Sequence, residues 1–192
     1  RLDDAIEACW ECLKVNPENV DMLFILGWTH TRKGQFERAL LYFQQYLEAR
    51  KRQEKSGFNL LILDFWDATS LVYNYLSLCY KSLNLINEAL GMQRKATTQQ
   101  PYNTVFWKSM AMLNELNRNR LGVQQSLFGA VDFGVADAEV FENLMQVAMQ
   151  NFRELLTKSA PFVAGLAKSE PVLADFGEAK PAIEQPLTDA GI

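Results

Sequence analysis

Large apolar residues recur three and four positions apart over much of this chain, the spacing that gathers them on one face of a helix. In Leu23-Phe-Ile-Leu-Gly-Trp-Thr-His30 they form one such face, and a turn at Lys33-Gly34-Gln35 separates it from a second in Phe36-Glu-Arg-Ala-Leu-Leu-Tyr-Phe43. The same order returns in Tyr73-Asn-Tyr-Leu-Ser-Leu-Cys-Tyr80, a turn near Leu83-Asn84-Leu85, and Ile86 to Leu90. It returns once more in Trp107-Lys-Ser-Met-Ala-Met-Leu-Asn114, a turn near Arg118-Asn119, and Val123 to Leu127. The pattern predicts helices over 20–32, 36–55, 58–83, 86–98, 103–116, 119–131 and 138–157, preceded by one helix at the start of the chain. Asp137 is placed to cap the last of them.

A ruler of small residues measures the period. Ala5, Ala39, Ala89 and Val123 are separated by 34, 50 and 34 positions, and 50 is 34 plus an insertion of 16. Leu26-Gly27 reappears as Leu76-Ser77, Met110-Ala111 and Leu144-Met145. Pro17 and Pro101 stand at equivalent places, where a helix must stop. A fixed period of this length marks an array in which no hairpin buries its apolar face alone and each needs a stacked neighbour.

These residues resemble the tetratricopeptide repeat family. One repeat carries Leu26, Gly27, Gly34, Phe36, Ala39 and Phe43, and the next carries Tyr73, Leu76, Tyr80, Ala89, Ala96 and Pro101. A half repeat at the start supplies Ala5, Cys9, Cys12 and Pro17, and a degenerate one supplies Trp107, Ala111, Leu127 and Ala130. The resemblance implies an all-α fold, a right-handed α-solenoid of antiparallel helix pairs, with one pair lengthened by the 16-residue insertion. The expected layout is a helical domain over 1–158, made of a half repeat at 1–19, repeats at 20–69, 70–103 and 104–137, and a capping helix at 138–158. A proline-containing irregular tail follows over 159–192. Because the chain opens at Arg1 inside a repeat, it reads as a fragment of something longer.

The resemblance also implies a function, a non-catalytic scaffold or adaptor that holds a protein or peptide segment on its concave groove. The family's groove positions map onto Asp21, Phe24, Trp28 and Arg32, then Leu71, Asn74, Leu78 and Lys81, then Val105, Lys108, Met112 and Glu115. Phe24 and Trp28 stand where carboxylate-gripping members carry lysine and asparagine, so no carboxylate clamp is expected. Two alternatives remain open: a chaperone for secreted or membrane-associated clients, and the repeat arm of a larger protein such as a glycosyltransferase.

The insertion suggests a second interface. Glu48 to Lys55 is charged almost throughout, whereas Phe58 to Trp66 is apolar on nearly every side. A helix apolar all round needs cover all round. Leu60, Ile62, Leu63, Phe65 and Trp66 are therefore candidates for contact with the solenoid itself, a second subunit, a missing N-terminal repeat or a partner. A homodimer through this arm or through the tail is one expectation.

Composition narrows the chemistry. The net charge of -4 gives no basic face for nucleic acid. The apolar run at 58–66 is too short to span a bilayer, so no membrane insertion is expected. Three cysteines fit free thiols in a reducing compartment, which points to the cytoplasm. Cys9-Trp-Glu-Cys12 has CxxC spacing, but both cysteines fall at small core positions of the repeat and read as packed thiols. His30 is the single histidine and sits where the repeat places an aromatic. With one histidine and scattered cysteines, neither a zinc site nor a catalytic triad is expected, and no cofactor is implied. Asp64 and Asp67 read as the polar edge of the inserted helix.

Overall fold

A computed structural model describes residues 1–56 and 68–166, with side chains described for 1–55 and 68–161. Eight helices appear among the described residues: α1 (Leu2–Val15), α2 (Val20–Arg32), α3 (Phe36–Ser56), α4 (Thr69–Ser82), α5 (Ile86–Gln99), α6 (Thr104–Leu116), α7 (Arg120–Asp132) and α8 (Ala138–Leu166). No strand occurs among these residues. The chain divides into two compact units, Arg1–Ala148 and Met149–Ile192, and α8 contributes to both.

In the first unit each helix from α1 to α7 packs on its neighbour in sequence, and α2 also reaches α4. The unit is an α-solenoid of hairpins, α2 with α3, α4 with α5 and α6 with α7. One turn chemistry closes every hairpin. Gly34, Asn84 and Arg118 take positive φ (72°, 61° and 54°), and Gly134 does so after α7 (66°). The residue after each donates its N–H back to the last helical turn: Gln35 to His30 O, Leu85 to Tyr80 O, Asn119 to Asn114 O and Val135 to Ala130 O, at 2.8–2.9 Å. This is a Schellman closure, which satisfies carbonyls that the helix end leaves without partners. Side-chain oxygens of Asn19, Asn103, Asn119 and Asp137 accept from N–H groups in the first turns of α2, α6, α7 and α8.

The small residues of the 34-residue ruler lie at the helix contacts. Ala39 and Ala89 are fully buried and Ala5 and Val123 partly so, while Ala130, outside the ruler, is fully buried too. A Cβ on Gly27 would stand 2.6 Å from the Phe43 ring, and one on Gly129 would stand 2.5 Å from the Trp107 indole. Aromatic rings fill the layers between: Phe43 stacks on Tyr75 with centroids 5.6 Å apart, and Phe24 meets Phe43, Tyr46 and Tyr75 edge to face. His30 does an aromatic's work, stacked on Tyr42 at 5.2 Å with Nδ1 2.6 Å from Gln35 Oε1. In the degenerate repeat Asn114 takes that place. Its amide donates to Met110 O and Ser126 Oγ, and its Oδ1 accepts from Asn119 Nδ2. The buried polar side chain is thus satisfied where a ring would otherwise pack.

Three expectations need correction or restriction. Cys9 is buried, but Cys12 is exposed, because Leu13, one turn beyond Cys9, takes the inward position instead. The helix expected to stop at 158 continues through Pro161 to Leu166. Proline removes one N–H, and the carbonyl it abandons belongs to Thr157, an exposed residue that water can serve. Of the helix expected over 58–83, the structure describes Thr69–Ser82 and places Ala68 outside it as the N-cap, so the helix does not run on through residue 68. Residues 57–67, with Leu60, Ile62, Leu63, Phe65 and Trp66, lie outside the described residues, as does 167–192. The second arm of the 16-residue insertion therefore goes untested, although α3 has 21 residues where α5 and α7 have 14 and 13.

The left-handed turn residues generate a prediction. An L-residue in that conformation costs about 1–2 kcal/mol, asparagine less than others. Arg118→Gly will stabilise the chain by about 0.5–1 kcal/mol after the entropy cost of glycine, while Asn84→Gly will be near neutral. Urea unfolding of both variants checks the difference.

Candidate functional site

The first helices of successive hairpins, α2, α4 and α6, carry the positions mapped to the groove. Between α4 and α6, with α5 beneath, lies an open pocket of about 210 Å³. Asn74, Ser77, Leu78 and Lys81 line it from α4, and Ser109 and Met112 from α6. Helical geometry explains the set, because 74, 77, 78 and 81 are three or four apart and share one face. Gln93 and Leu113 complete the lining.

The pocket's polar groups are unusual in what they do not touch. The side chains of Asn74, Ser77, Lys81 and Ser109 form no hydrogen bond or ion pair with any other described residue. Gln93 is fully buried, and its Nε2 donates to Phe106 O at 3.0 Å. A carbonyl can only accept, so that bond fixes the amide's orientation and leaves Oε1 inside with no partner. One cation, two hydroxyls and an amide thus converge beside Leu78 and Met112 with their hydrogen-bonding capacity unspent.

The other mapped residues are arranged differently. Phe24 is half-buried and belongs to the aromatic core. Trp28 is half-buried, and the Arg32 guanidinium lies over its ring at 5.8 Å. Lys108 is tied to α8 by Asp137, at 2.7 Å, and by Glu139. The structure therefore brings Asn74, Leu78, Lys81 and Met112 together at one pocket and turns Phe24 and Lys108 to structural tasks. Ser77, Ser109 and Gln93 were missed in the sequence. Ser77 is buried, as its place in the Leu-Gly series implies, and also lines the pocket, while nothing in the spacing marks Gln93 or Ser109.

Burial raises the Cys9 and Cys79 thiols above the ordinary cysteine range, which disfavours the thiolate. Cys79 accepts or donates a contact with Thr31 Oγ1 at 3.6 Å. Among the described residues no group of three or more His, Cys, Asp or Glu could hold a metal ion, and no helix is long and apolar enough to cross a membrane.

Comparison with known proteins agrees with this architecture. Residues 20–53 match the tetratricopeptide repeat model. No curated protein sequence matches the chain. Among solved structures, the crystal structure of MamA protein superposes with a TM-score of 0.61 at 16% identity, covering 90% of this chain and 88% of that one. The crystal structure of the APC/C hetero-tetramer Cut9-Hcn1 gives 0.57 at 13% identity, covering 73% of this chain and 26% of that one. BtubC (BKLC) from P. vanneervenii gives 0.52 at 13% identity, covering 89% and 71%. At these identities the likeness shows the fold, and the structures are tetratricopeptide proteins.

The Lys108 cluster yields a pH prediction. The Lys108 hydrogen bond, aided by the Val140 N–H, holds the Asp137 carboxyl below the usual aspartate range. A depressed carboxyl contributes stability at pH values above the unfolded aspartate pKa and loses it as pH falls through the folded one. Lys108→Met will raise the Asp137 midpoint toward the ordinary value. Titration followed by NMR of the Asp137 carboxyl checks it.

Proposed function

We propose that this chain of tetratricopeptide repeats is a non-catalytic scaffold that holds a segment of another protein in the pocket between α4 and α6. One observation carries the reading: the side chains of Asn74, Ser77, Lys81 and Ser109 face an open cavity with no partner inside the described protein. Several other cations among the described residues are engaged. Lys33 pairs with Asp3, Arg52 with Glu18, and Lys108 with Asp137 and Glu139. A peptide segment supplies what the pocket lacks, since its main chain carries acceptors and donors at every residue. Leu78 and Met112 add apolar contact, and methionine adapts to irregular shapes.

The fold supports the same reading. Repeat arrays present extended inner surfaces for partners, and one of the similar structures was solved as a hetero-tetramer. The three free cysteines suit a partner met in the reducing cytoplasm. Nothing in the described residues favours the chaperone or glycosyltransferase-arm alternatives over the general scaffold.

Affinity capture with wild type beside Asn74→Ala/Leu78→Ala/Lys81→Ala tests the reading. These residues are half-buried and rim the pocket, so the variant will unfold within a few degrees of wild type. It will lose its partner by about tenfold or more, as expected for removing charge-assisted and apolar contacts together. Identical partner sets and affinities for both proteins would refute the assignment.

A further inference from the structure

One position in the α4–α5 hairpin departs from its counterparts. Phe43, Gln93 and Leu127 are separated by 50 and 34 positions, so they hold equivalent places in the three hairpins. All three are fully buried. Phe43 sets its ring where a side chain on Gly27 would stand, and Leu127 belongs to the apolar core of its own pair. In the middle hairpin the equivalent partners are Ser77 and Gln93, and both line the pocket between α4 and α6. A slender amide therefore stands where the other hairpins have apolar bulk, and a cavity of about 210 Å³ lies beside it.

Packing does not ask for that amide. Its Nε2 donates to the Phe106 carbonyl at 3.0 Å, and its Oε1 is buried without a partner. Phe106 lies within α6, where its carbonyl accepts from the helix itself. A leucine or phenylalanine at position 93 would leave no orphan, and a buried polar atom without a partner needs a reason. Ser77 adds a second polar group on the same wall, buried and without a hydrogen bond to any other described residue. The rest of the lining holds one charge, that of Lys81, and no carboxylate.

Resting on the reading of this pocket as the seat of a partner segment, we propose that Gln93 is its specificity-determining residue and that the occupant is an acidic segment with a serine or threonine beside its carboxylate. The hydroxyl enters the cavity, donates to Gln93 Oε1 and accepts from the Ser77 hydroxyl. The carboxylate pairs with Lys81. A hydroxyl on a short side chain suits the place better than a main-chain N–H, because Gln93 lies beneath the opening and a backbone crossing the opening stays above it. A site built to hydrogen-bond a hydroxyl rejects the analogue that lacks one, since its own buried polar groups are then left unpaired. A cation in the acidic place meets Lys81 at like charge.

Titration of the full chain with capped tetrapeptides, followed by NMR of the Gln93 side-chain amide and the Ser77 and Lys81 main-chain amides, tests it. Wild type will bind Ala-Asp-Ser-Ala about tenfold more tightly than Ala-Asp-Ala-Ala, and more tightly than Ala-Lys-Ser-Ala. Gln93→Leu will unfold at or above the wild-type temperature and bind the Asp-Ser and Asp-Ala peptides equally. Gln93→Phe, which restores the ring of the first hairpin, will fill the cavity and bind none of them. Equal affinity of wild type for the Asp-Ser and Asp-Ala peptides would overturn the proposal while leaving the pocket a peptide site of another chemistry. So would a serine preference that survives in Gln93→Leu. If no peptide moves these resonances, the pocket reading falls and the proposal with it.

Discussion

The structure depends on the approach of one helix to the next where a side chain is missing. Gly27 leaves the space that the Phe43 ring occupies, and Gly129 leaves the space for the Trp107 indole. Because the rings enter those gaps, the helices of each pair lie close enough for Ala39 and Ala130 to vanish from the surface. The aromatic layers then run from one hairpin to the next, from Phe43 to Tyr75 and from Phe24 to Tyr75. No hairpin in the array buries its own apolar face, so these layers are both the core and the joints of the solenoid.

That arrangement also explains why the inner wall can hold unsatisfied groups. Helices meet their own backbone hydrogen bonds internally, and the recurring turns and caps close their ends. The fold therefore has no call on the side chains of Asn74, Ser77, Lys81 and Ser109. Asn74, Lys81 and Ser109 are half-buried and uncommitted at the pocket, and Ser77 is buried at its inner wall. Gln93 is the exception, since its amide ties α5 to the Phe106 carbonyl and leaves one buried oxygen unpaired. In the free protein the cost of that orphan falls on the fold.

Much of the fold was legible because period and turn chemistry are written locally. The start and end of α2 at Val20 and Arg32 followed from spacing, the cap at Asp137 from its residue type, and the aromatic place of His30 from the resemblance to the repeat. What could not be read depended on partners brought from elsewhere. Lys108 looks like a groove cation until Asp137 and Glu139 arrive from α8. Phe24 looks like a groove aromatic until Phe43, Tyr46 and Tyr75 surround it. The helix through Pro161 ran on because the proline's lost bond falls on a wet face, and exposure is a tertiary property. Ser109 and Gln93 joined the pocket through the packing of α5 and α6, which no short motif records.

A double-mutant cycle on Gly27 and Phe43 probes the interlock directly. With Phe43 in place, Gly27→Ala introduces a methyl where the ring stands, and overpacking of this kind costs about 1–3 kcal/mol. In a Phe43→Leu background the same change meets a smaller, more flexible neighbour, and alanine's helix preference of about 1 kcal/mol should then show. The account predicts that the effect of Gly27→Ala changes sign between the two backgrounds. An identical effect in both would mean that the gap and the ring are unrelated, and the solenoid would need another explanation.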